Sequence, residues 1–131
     1  MDTQDAPDRQ QGQSVSMAIS NAMVKLYKDQ FGRGPTRART HYAGPDTIIS
    51  TLQDSLTPAE RSLVAMGEHQ RLRDVRMFFQ YASEDEFRGA VEEITGRKVW
   101  AFVSGIDSKQ DVSVEVFYLE PEVGSDGGDA A

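Results

Sequence analysis

The first folded segment of the chain carries hydrophobic residues at helical spacing. Between Ser14 and Phe31, an apolar stripe is opposed by polar side chains on the other side of the helix. The stripe consists of Val15, Ile19, Ala22, Met23, Leu26 and Tyr27. A Gly-Arg-Gly-Pro sequence follows at once. Because glycine closes helices in the left-handed conformation and proline cannot continue them, the pattern predicts a helix that ends at Phe31.

Four segments with strand character lie in two pairs. Thr36–Ala43 and Thr47–Asp54 are separated by a Gly-Pro-Asp tripeptide, which is typical of a hairpin turn. Lys98–Gly105 and Val112–Leu119 form the second pair, and a polar turn joins them. In the last strand, valines alternate with serine, glutamate and phenylalanine, so two different sets of side chains face the two sides of the sheet.

Helical patterns fill the space between the two hairpins. Thr57 and Glu60 form a capping box around a proline, and the helical phase continues, which predicts one helix over Pro58–Tyr81. A polar stretch at 67–71 interrupts its apolar stripe and indicates either a kink or a solvated overhang. A second capping box at Ser83–Glu86 begins another helix.

This order of elements predicts an α+β fold. The order is α-ββ-αα-ββ, which indicates a four-stranded, mostly antiparallel sheet with helices packed on one face. Residues 14–120 form this single domain. Residues 1–13 and 121–131 lack apolar residues at useful spacing and are predicted to be disordered acidic tails.

The C-terminal hairpin is partly apolar on both faces. Trp100, Phe102 and Phe117 occupy strand positions opposite to the valines of the same hairpin. A monomer with one uncovered sheet face would expose a sizeable apolar patch. Either a helix or tail covers this face, or a second copy of the chain does. We expect a homodimer that uses these three residues, with the long helix as the alternative interface.

Net charge and composition restrict the classes of partner. The formal net charge is −7, of which −2 lies in residues 1–13 and −3 in residues 121–131, so the predicted domain is nearly balanced. Without a basic excess, nucleic-acid binding is not expected. No apolar run reaches the roughly 20 residues needed for membrane insertion. The chain has no cysteine and shows no secretory signal pattern, which predicts a cytoplasmic location.

One run of positive side chains is the candidate binding site. It consists of Arg33, Arg37, Arg39 and His41. Arg37, Arg39 and His41 alternate along a strand and therefore share one face, where they could bind a carboxylate, a phosphate or an acidic partner strand. The alternative is an ordinary solvated face, paired with acids such as Asp54 or Glu115. A second group, Arg71, Arg73 and Arg76, is explained by ion pairs along the long helix.

Catalytic chemistry finds little support in the sequence. Cysteine nucleophiles are excluded, and no serine lies in a Gly-x-Ser-x-Gly elbow. His41 and His69 fall on different elements and lack the His-Glu-x-x-His spacing of a metal site. We therefore predict no enzyme activity, no catalytic residues, no metal site and no cofactor.

Several short motifs resemble one bacterial family in their order and spacing. They are Gly32-Arg33-Gly34-Pro35, Leu56-Thr57-Pro58-Ala59-Glu60, Ile94-Thr95-Gly96 and Asp107. The likeness covers about Ser16 to Leu119 and points to MpsC-like domains, named after a component of a Na+-translocating, membrane-potential-generating system. The resemblance implies an accessory role beside a membrane ion or inorganic-carbon transport system, and it transfers no catalytic residue.

The sequence thus predicts a non-enzymatic, cytoplasmic accessory or regulatory domain. It would form a homodimer and bind a protein partner, in which the cationic run makes the contact. The alternative is a sensor of small anions, in which Arg33, Arg37 and Arg39 bind a phosphorylated or carboxylate metabolite.

Overall fold

A computed structural model describes residues 6–122 of the chain, with side chains from residue 14 onward. It contains four helices and four strands. They are α1 (Ala6–Phe31), β1 (Arg37–Tyr42), β2 (Thr47–Gln53), α2 (Pro58–Ala65), α3 (His69–Ala82), α4 (Glu84–Thr95), β3 (Val99–Asp107) and β4 (Val112–Leu119). The strands form one antiparallel sheet in the order β1-β2-β4-β3, with the helices on one face. The predicted α+β fold and its element order are therefore confirmed.

Two helix boundaries differ from the prediction. Helix α1 begins at Ala6 instead of the predicted Ser14, while residues 1–5 and 123–131 of the predicted tails lie outside the described residues. Extending an existing helix needs no new nucleation, which explains how a polar segment adds turns to it. The predicted long helix is two helices, because Gly67 takes a left-handed φ of 80° between α2 and α3.

The hydrophobic core lies between the sheet and the helices α1 and α4. Alternate residues of each strand point into it, so the side chains that pair across neighbouring strands meet the same helices. The fully buried members are Ile19, Met23 and Tyr27 of α1, Phe87 and Val91 of α4, and Ile48, Leu52, Val99, Phe117 and Leu119 of the sheet. The sheet face away from the helices, hereafter the open face, has no described element packed on it.

A β-bulge changes which aromatic residues of the last hairpin are exposed. The pairing of β3 with β4 shifts between Val99 and Ala101, which moves Trp100 onto the open face. Phe102 and Phe117 pair with each other on the helix side and are only 7% and 0% exposed. The predicted interface of Trp100, Phe102 and Phe117 is therefore corrected, because two of its members belong to the core.

Helix α3 is fixed to the rest of the domain by a buried arginine. The Arg76 guanidinium is 1% exposed, and it donates to both carboxylate oxygens of Glu60 at 2.7 and 2.8 Å. It also donates to the Ser55 carbonyl at 3.0 Å and lies 3.7 Å from the centre of the Phe31 ring. Arg76 is therefore buried and does not form a surface ion pair along α3, contrary to the sequence interpretation.

The pKa of the Glu60 carboxyl reflects this contact. Burial raises it, but hydrogen bonds from Arg76 and from the Thr57 backbone outweigh burial and hold the pKa below its ordinary value. Glu60 also completes the predicted capping box with Thr57, which is confirmed. The Glu60 carboxylate thus caps the start of α2 and neutralises the buried Arg76 guanidinium of α3.

We predict that Arg76→Met lowers the free energy of unfolding by about 2 to 3 kcal/mol, since it leaves a partly buried carboxylate and a carbonyl without their donor. Urea denaturation monitored by circular dichroism measures the change. Arg73→Met is the matched control, because Arg73 is exposed on the same helix, and it should change stability by less than about 0.5 kcal/mol. Equal stability of the two variants would contradict a structural role for the buried guanidinium.

Candidate functional site

The open face is basic at one edge and apolar towards the other. Residues that pair directly in an antiparallel sheet share a face, so the strand register gives its rows. From β1 through β2 and β4 to β3, these rows are His41, Ile49, Val116 and Val103; Arg39, Thr51, Val114 and Gly105; and Arg37, Gln53, Val112 and Asp107. Thr47, Tyr118 and Ala101 form a fourth, shorter row.

The apolar part of the open face reaches water mainly at β3. Trp100 is 58% exposed and Val103 is 47% exposed, and the Trp100 ring lies 5.8 Å from that of Tyr118, centre to centre. Ile49 and Val116 beside them are half-buried by their neighbours in the sheet. Large side chains gathered on an uncovered sheet face are typical of an interaction surface.

The basic edge consists of Arg37, Arg39 and His41, all exposed on β1. Within residues 14–122, none of the three takes part in an ion pair. Successive members stand about 7 Å apart along the strand. The predicted alternation of these three side chains on one face is therefore confirmed.

Arg33 does not belong to this edge. Its guanidinium donates to the Asp54 carbonyl at 2.5 Å and the Leu56 carbonyl at 3.1 Å, and lies 3.2 Å from the Asp54 carboxylate. Thr36 also donates to this carboxylate, and its hydrogen bond, followed by the arginine contacts, holds the pKa of Asp54 below its ordinary value. Arg33 thus joins two loops inside the chain, whereas the sequence interpretation grouped it with the binding residues.

A polar row crosses the core on the opposite side of the sheet. Thr40, Ser50, Glu115 and Ser104 are register partners on successive strands, and all four are buried. The Ser20 hydroxyl of α1 lies 2.7 Å from that of Thr40, which lies 2.9 Å from that of Ser50. The helices therefore meet the sheet partly through hydrogen bonds, which require a definite alignment.

Glu115 is the centre of this row and is completely buried. Its Oε2 atom accepts hydrogen bonds from the Tyr27 hydroxyl and the Gln80 amide, both at 2.5 Å, and the Gln80 amide also donates to the Tyr27 oxygen at 2.9 Å. The sequence interpretation offered Glu115 as a surface neighbour of the arginines, and the structure places it on the other face. The sequence did hold a signal for this placement. Glu115 lies at every second position of β4 together with Phe117 and Leu119, which are core residues, so all three face the same side of the sheet.

Burial sets the protonation behaviour of Glu115. Removal from water raises its pKa from 4.5 to about 7, although hydrogen bonds, first that from Tyr27, and the positive charge of Arg76 offset part of the rise. Burial and the neighbouring Glu115 also raise the pKa of Tyr27 well above its ordinary value, so this hydroxyl remains a donor. The Glu115 carboxyl is closed to solvent, and its hydrogen bonds join α1 and α3 to the sheet.

We predict a pH dependence of stability that belongs to Glu115. Between pH 4.5 and 7 the Glu115 carboxyl loses its proton in the unfolded chain but keeps it in the folded chain. The contribution of Glu115 to the free energy of unfolding therefore falls as pH rises. The free energy of unfolding of wild type, minus that of Glu115→Gln, should fall by about 3 kcal/mol over this range and then level off.

Urea titrations at several pH values measure this difference. The comparison with Glu115→Gln removes the contribution of other carboxyls, such as Glu60, whose lowered pKa acts in the opposite direction. A difference that stays constant with pH would show that Glu115 ionises at its ordinary pKa.

Comparisons with known proteins add a family to this geometry. No curated protein and no solved structure matches the chain at a significant level. None of the helices within the described residues is long and apolar enough to cross a bilayer. The model of one family, described as "Na+-translocating membrane potential-generating system (MpsC)", matches residues 11–121. This match spans both hairpins, α2 to α4 and most of α1, and the chain therefore belongs to the MpsC family.

Proposed function

We propose that this domain is a non-catalytic accessory or regulatory protein that binds a protein partner within the membrane ion system for which its family is named. The observation that carries the proposal is the open face, which combines exposed apolar side chains with a basic edge that has no ion pair inside the described chain. The cytoplasmic location expected from the absence of cysteine is part of the same proposal.

The arrangement of titratable groups favours binding over catalysis. The carboxyl with the most perturbed surroundings, Glu115, is closed to solvent. His41 lies on the edge strand β1, whereas His69 begins α3, which packs beside β3 at the other edge of the sheet. Groups that would have to act together on a substrate are therefore distributed over different parts of the fold.

A homodimer is the second part of the proposal. The most exposed apolar side chains of the open face, Trp100 and Val103, both lie on β3. Face-to-face packing of two copies through their β3–β4 halves would remove these side chains from water. The β1 edges would remain free, because they lie at the other side of each sheet. Self-association and partner binding would thus use different halves of the open face.

We expect the full chain to be a dimer at micromolar concentration, and Val103→Glu to be a monomer with a nearly unchanged melting temperature. A charge at the centre of an apolar interface opposes burial, whereas the same charge on an exposed strand costs the monomer little. Size-exclusion chromatography with light scattering measures the mass of each species.

Val75→Glu is the matched control, since Val75 on α3 is also 47% exposed. If Val75→Glu dissociates the dimer and Val103→Glu does not, the interface is on α3. A monomeric wild type at the same concentration would eliminate the dimer.

The basic edge is tested by neutralising its two arginines, Arg37 and Arg39. In affinity capture from the source cell followed by quantitative mass spectrometry, the immobilised wild type should retain a protein that Arg37→Gln/Arg39→Gln loses by about tenfold, because ion pairs at the contact disappear. The control is Arg71→Gln/Arg73→Gln, which changes the net charge equally on exposed positions of α3. Identical retention by both double variants would contradict the assignment of the contact to β1.

A small-anion sensor is the competing function, since the side chains of the basic edge, Arg37, Arg39 and His41, could bind a phosphate or carboxylate. On the open face the strand offers such a ligand no enclosing walls, so a small anion would have to occupy the groove between β1 and α1, which Arg39 and His41 also line. Thermal denaturation with phosphate, nucleotides or bicarbonate separates the two. A ligand-specific rise in melting temperature that disappears in Arg37→Gln/Arg39→Gln supports the sensor.

A further inference from the structure

Within the described residues, backbone groups on the outer edge of β1 have no hydrogen-bond partner. The Ala43 amide donates to the Thr47 carbonyl, which identifies these two residues as a hydrogen-bonded pair. In antiparallel sheets such pairs recur at every second residue. The residues between them, Ala38, Thr40 and Tyr42, therefore direct their backbone N–H and C=O groups away from β2. No other described strand pairs with this edge.

The other edge of the sheet is closed by side chains. At one end of β3, Glu92 accepts from the Val99 amide at 2.9 Å and Arg88 donates to the Val99 carbonyl at 2.6 Å. Further along, the Tyr81 hydroxyl accepts from the Ser104 amide at 2.9 Å and lies 3.3 Å from its carbonyl. Such covering is how proteins prevent pairing at an exposed strand. Within the described residues, β1 has no equivalent cover.

A groove runs beside the open edge of β1. Its volume is about 600 Å³, and it lies between this strand and α1. Met17, Asn21 and Val24 contribute to the helix wall, and Met17 is 64% exposed. A strand added to β1 would direct every second side chain into this groove and the others onto the open face.

Charge selects the occupant of this edge. Side chains of an added strand that lie on the open face would be direct neighbours of Arg37, Arg39 and His41, so carboxylates at alternate positions would form ion pairs. Pairing of β1 with the β1 of a second copy would instead bring these cations together, which is destabilising. The edge therefore favours a partner segment in which acidic residues alternate with small apolar ones.

We infer that β1 binds an extended acidic segment of a partner protein as a fifth strand of the sheet. Backbone hydrogen bonds to Ala38, Thr40 and Tyr42 supply the pairing, and ion pairs with the basic edge supply the selectivity. The inference rests on the proposed function, since it specifies how the partner contacts the same residues.

The test uses a fluorescent synthetic peptide of about nine residues in which glutamate alternates with valine. The full chain should bind it in fluorescence anisotropy at least about tenfold more tightly than a peptide of alternating lysine and valine. A third peptide carries the glutamates but is N-methylated at alternate residues, so that it cannot donate to β1. This N-methylated peptide should bind at least about tenfold more weakly than the unmethylated glutamate peptide. Absence of saturable binding of the glutamate peptide overturns the inference.

Two variants separate strand addition from contact through side chains alone. Ala38→Pro removes an outward N–H and obstructs the edge without removing a hydrogen bond to β2, whereas Arg37→Gln/Arg39→Gln removes only charge. Both should weaken binding of the glutamate peptide about tenfold, and Arg71→Gln/Arg73→Gln should not. In wild type, hydrogen exchange of the Ala38, Thr40 and Tyr42 amides should slow when the peptide binds.

The outcomes distinguish this inference from the proposed function. If the arginine variant loses the peptide but Ala38→Pro and the N-methylated peptide bind normally, side chains alone make the contact; strand addition is then wrong and partner binding stands. If neither the arginine substitutions nor N-methylation of the peptide changes the affinity, the strand-addition inference fails. If the arginine variant gains self-association through β1 and no peptide binds wild type, the arginines only keep copies apart, which also overturns it.

Discussion

The packing of the helices depends on one buried carboxyl group. Glu115 lies at the centre of the sheet, and its hydrogen bonds are made only when Tyr27 of α1 and Gln80 of α3 both reach it. A buried polar group without partners is costly, so this requirement fixes how the two helices align on the sheet. The consequence extends to the sheet edges. Next to Gln80 on α3, Tyr81 covers the Ser104 edge of β3, while α1 leaves a groove beside β1. The asymmetry of the edges follows from the alignment of the helices.

Much of this fold was predictable because its signals are local. The strand alternations, the capping box at Thr57 and the end of α1 at Phe31 each depend on neighbouring residues, and the structure has them where the pattern predicts them. The bulge at Trp100 has no such signal, since no glycine or proline marks it, and it reassigned an aromatic residue to the other face. The capping box predicted at Ser83 is also not formed, because a contact with a distant residue replaces it. Helix α4 begins after Ser83, but the Ser83 hydroxyl accepts a hydrogen bond from Gln30 of α1 instead of capping the helix.

The binding site was predictable to a similar extent. Alternation alone places Arg37, Arg39 and His41 on one face, and the structure confirms this. What alternation could not give is the identity of their neighbours. Charge balance suggested acids within reach, yet Asp54 pairs with Arg33 and Arg61, and Glu115 faces the core. The sign of a residue's charge does not reveal which side of a sheet it occupies, whereas its phase relative to known core residues does.

The overall charge of the chain would contribute to the selectivity of the proposed strand addition. Most of the formal charge of −7 lies in residues 1–13 and 121–131, so the molecule repels acidic chains that come within the range of this charge. This repulsion is screened beyond about a Debye length of 8 Å at physiological ionic strength. Inside that range, only a segment that matches the roughly 7 Å spacing of the cations on β1 gains ion pairs and backbone hydrogen bonds together. Nucleic acids and disordered acidic chains meet the repulsion without this combined gain. In the proposed strand addition, the net negative charge of the chain would therefore act against partners without the matching pattern, and the cations of β1 would retain the segment that has it.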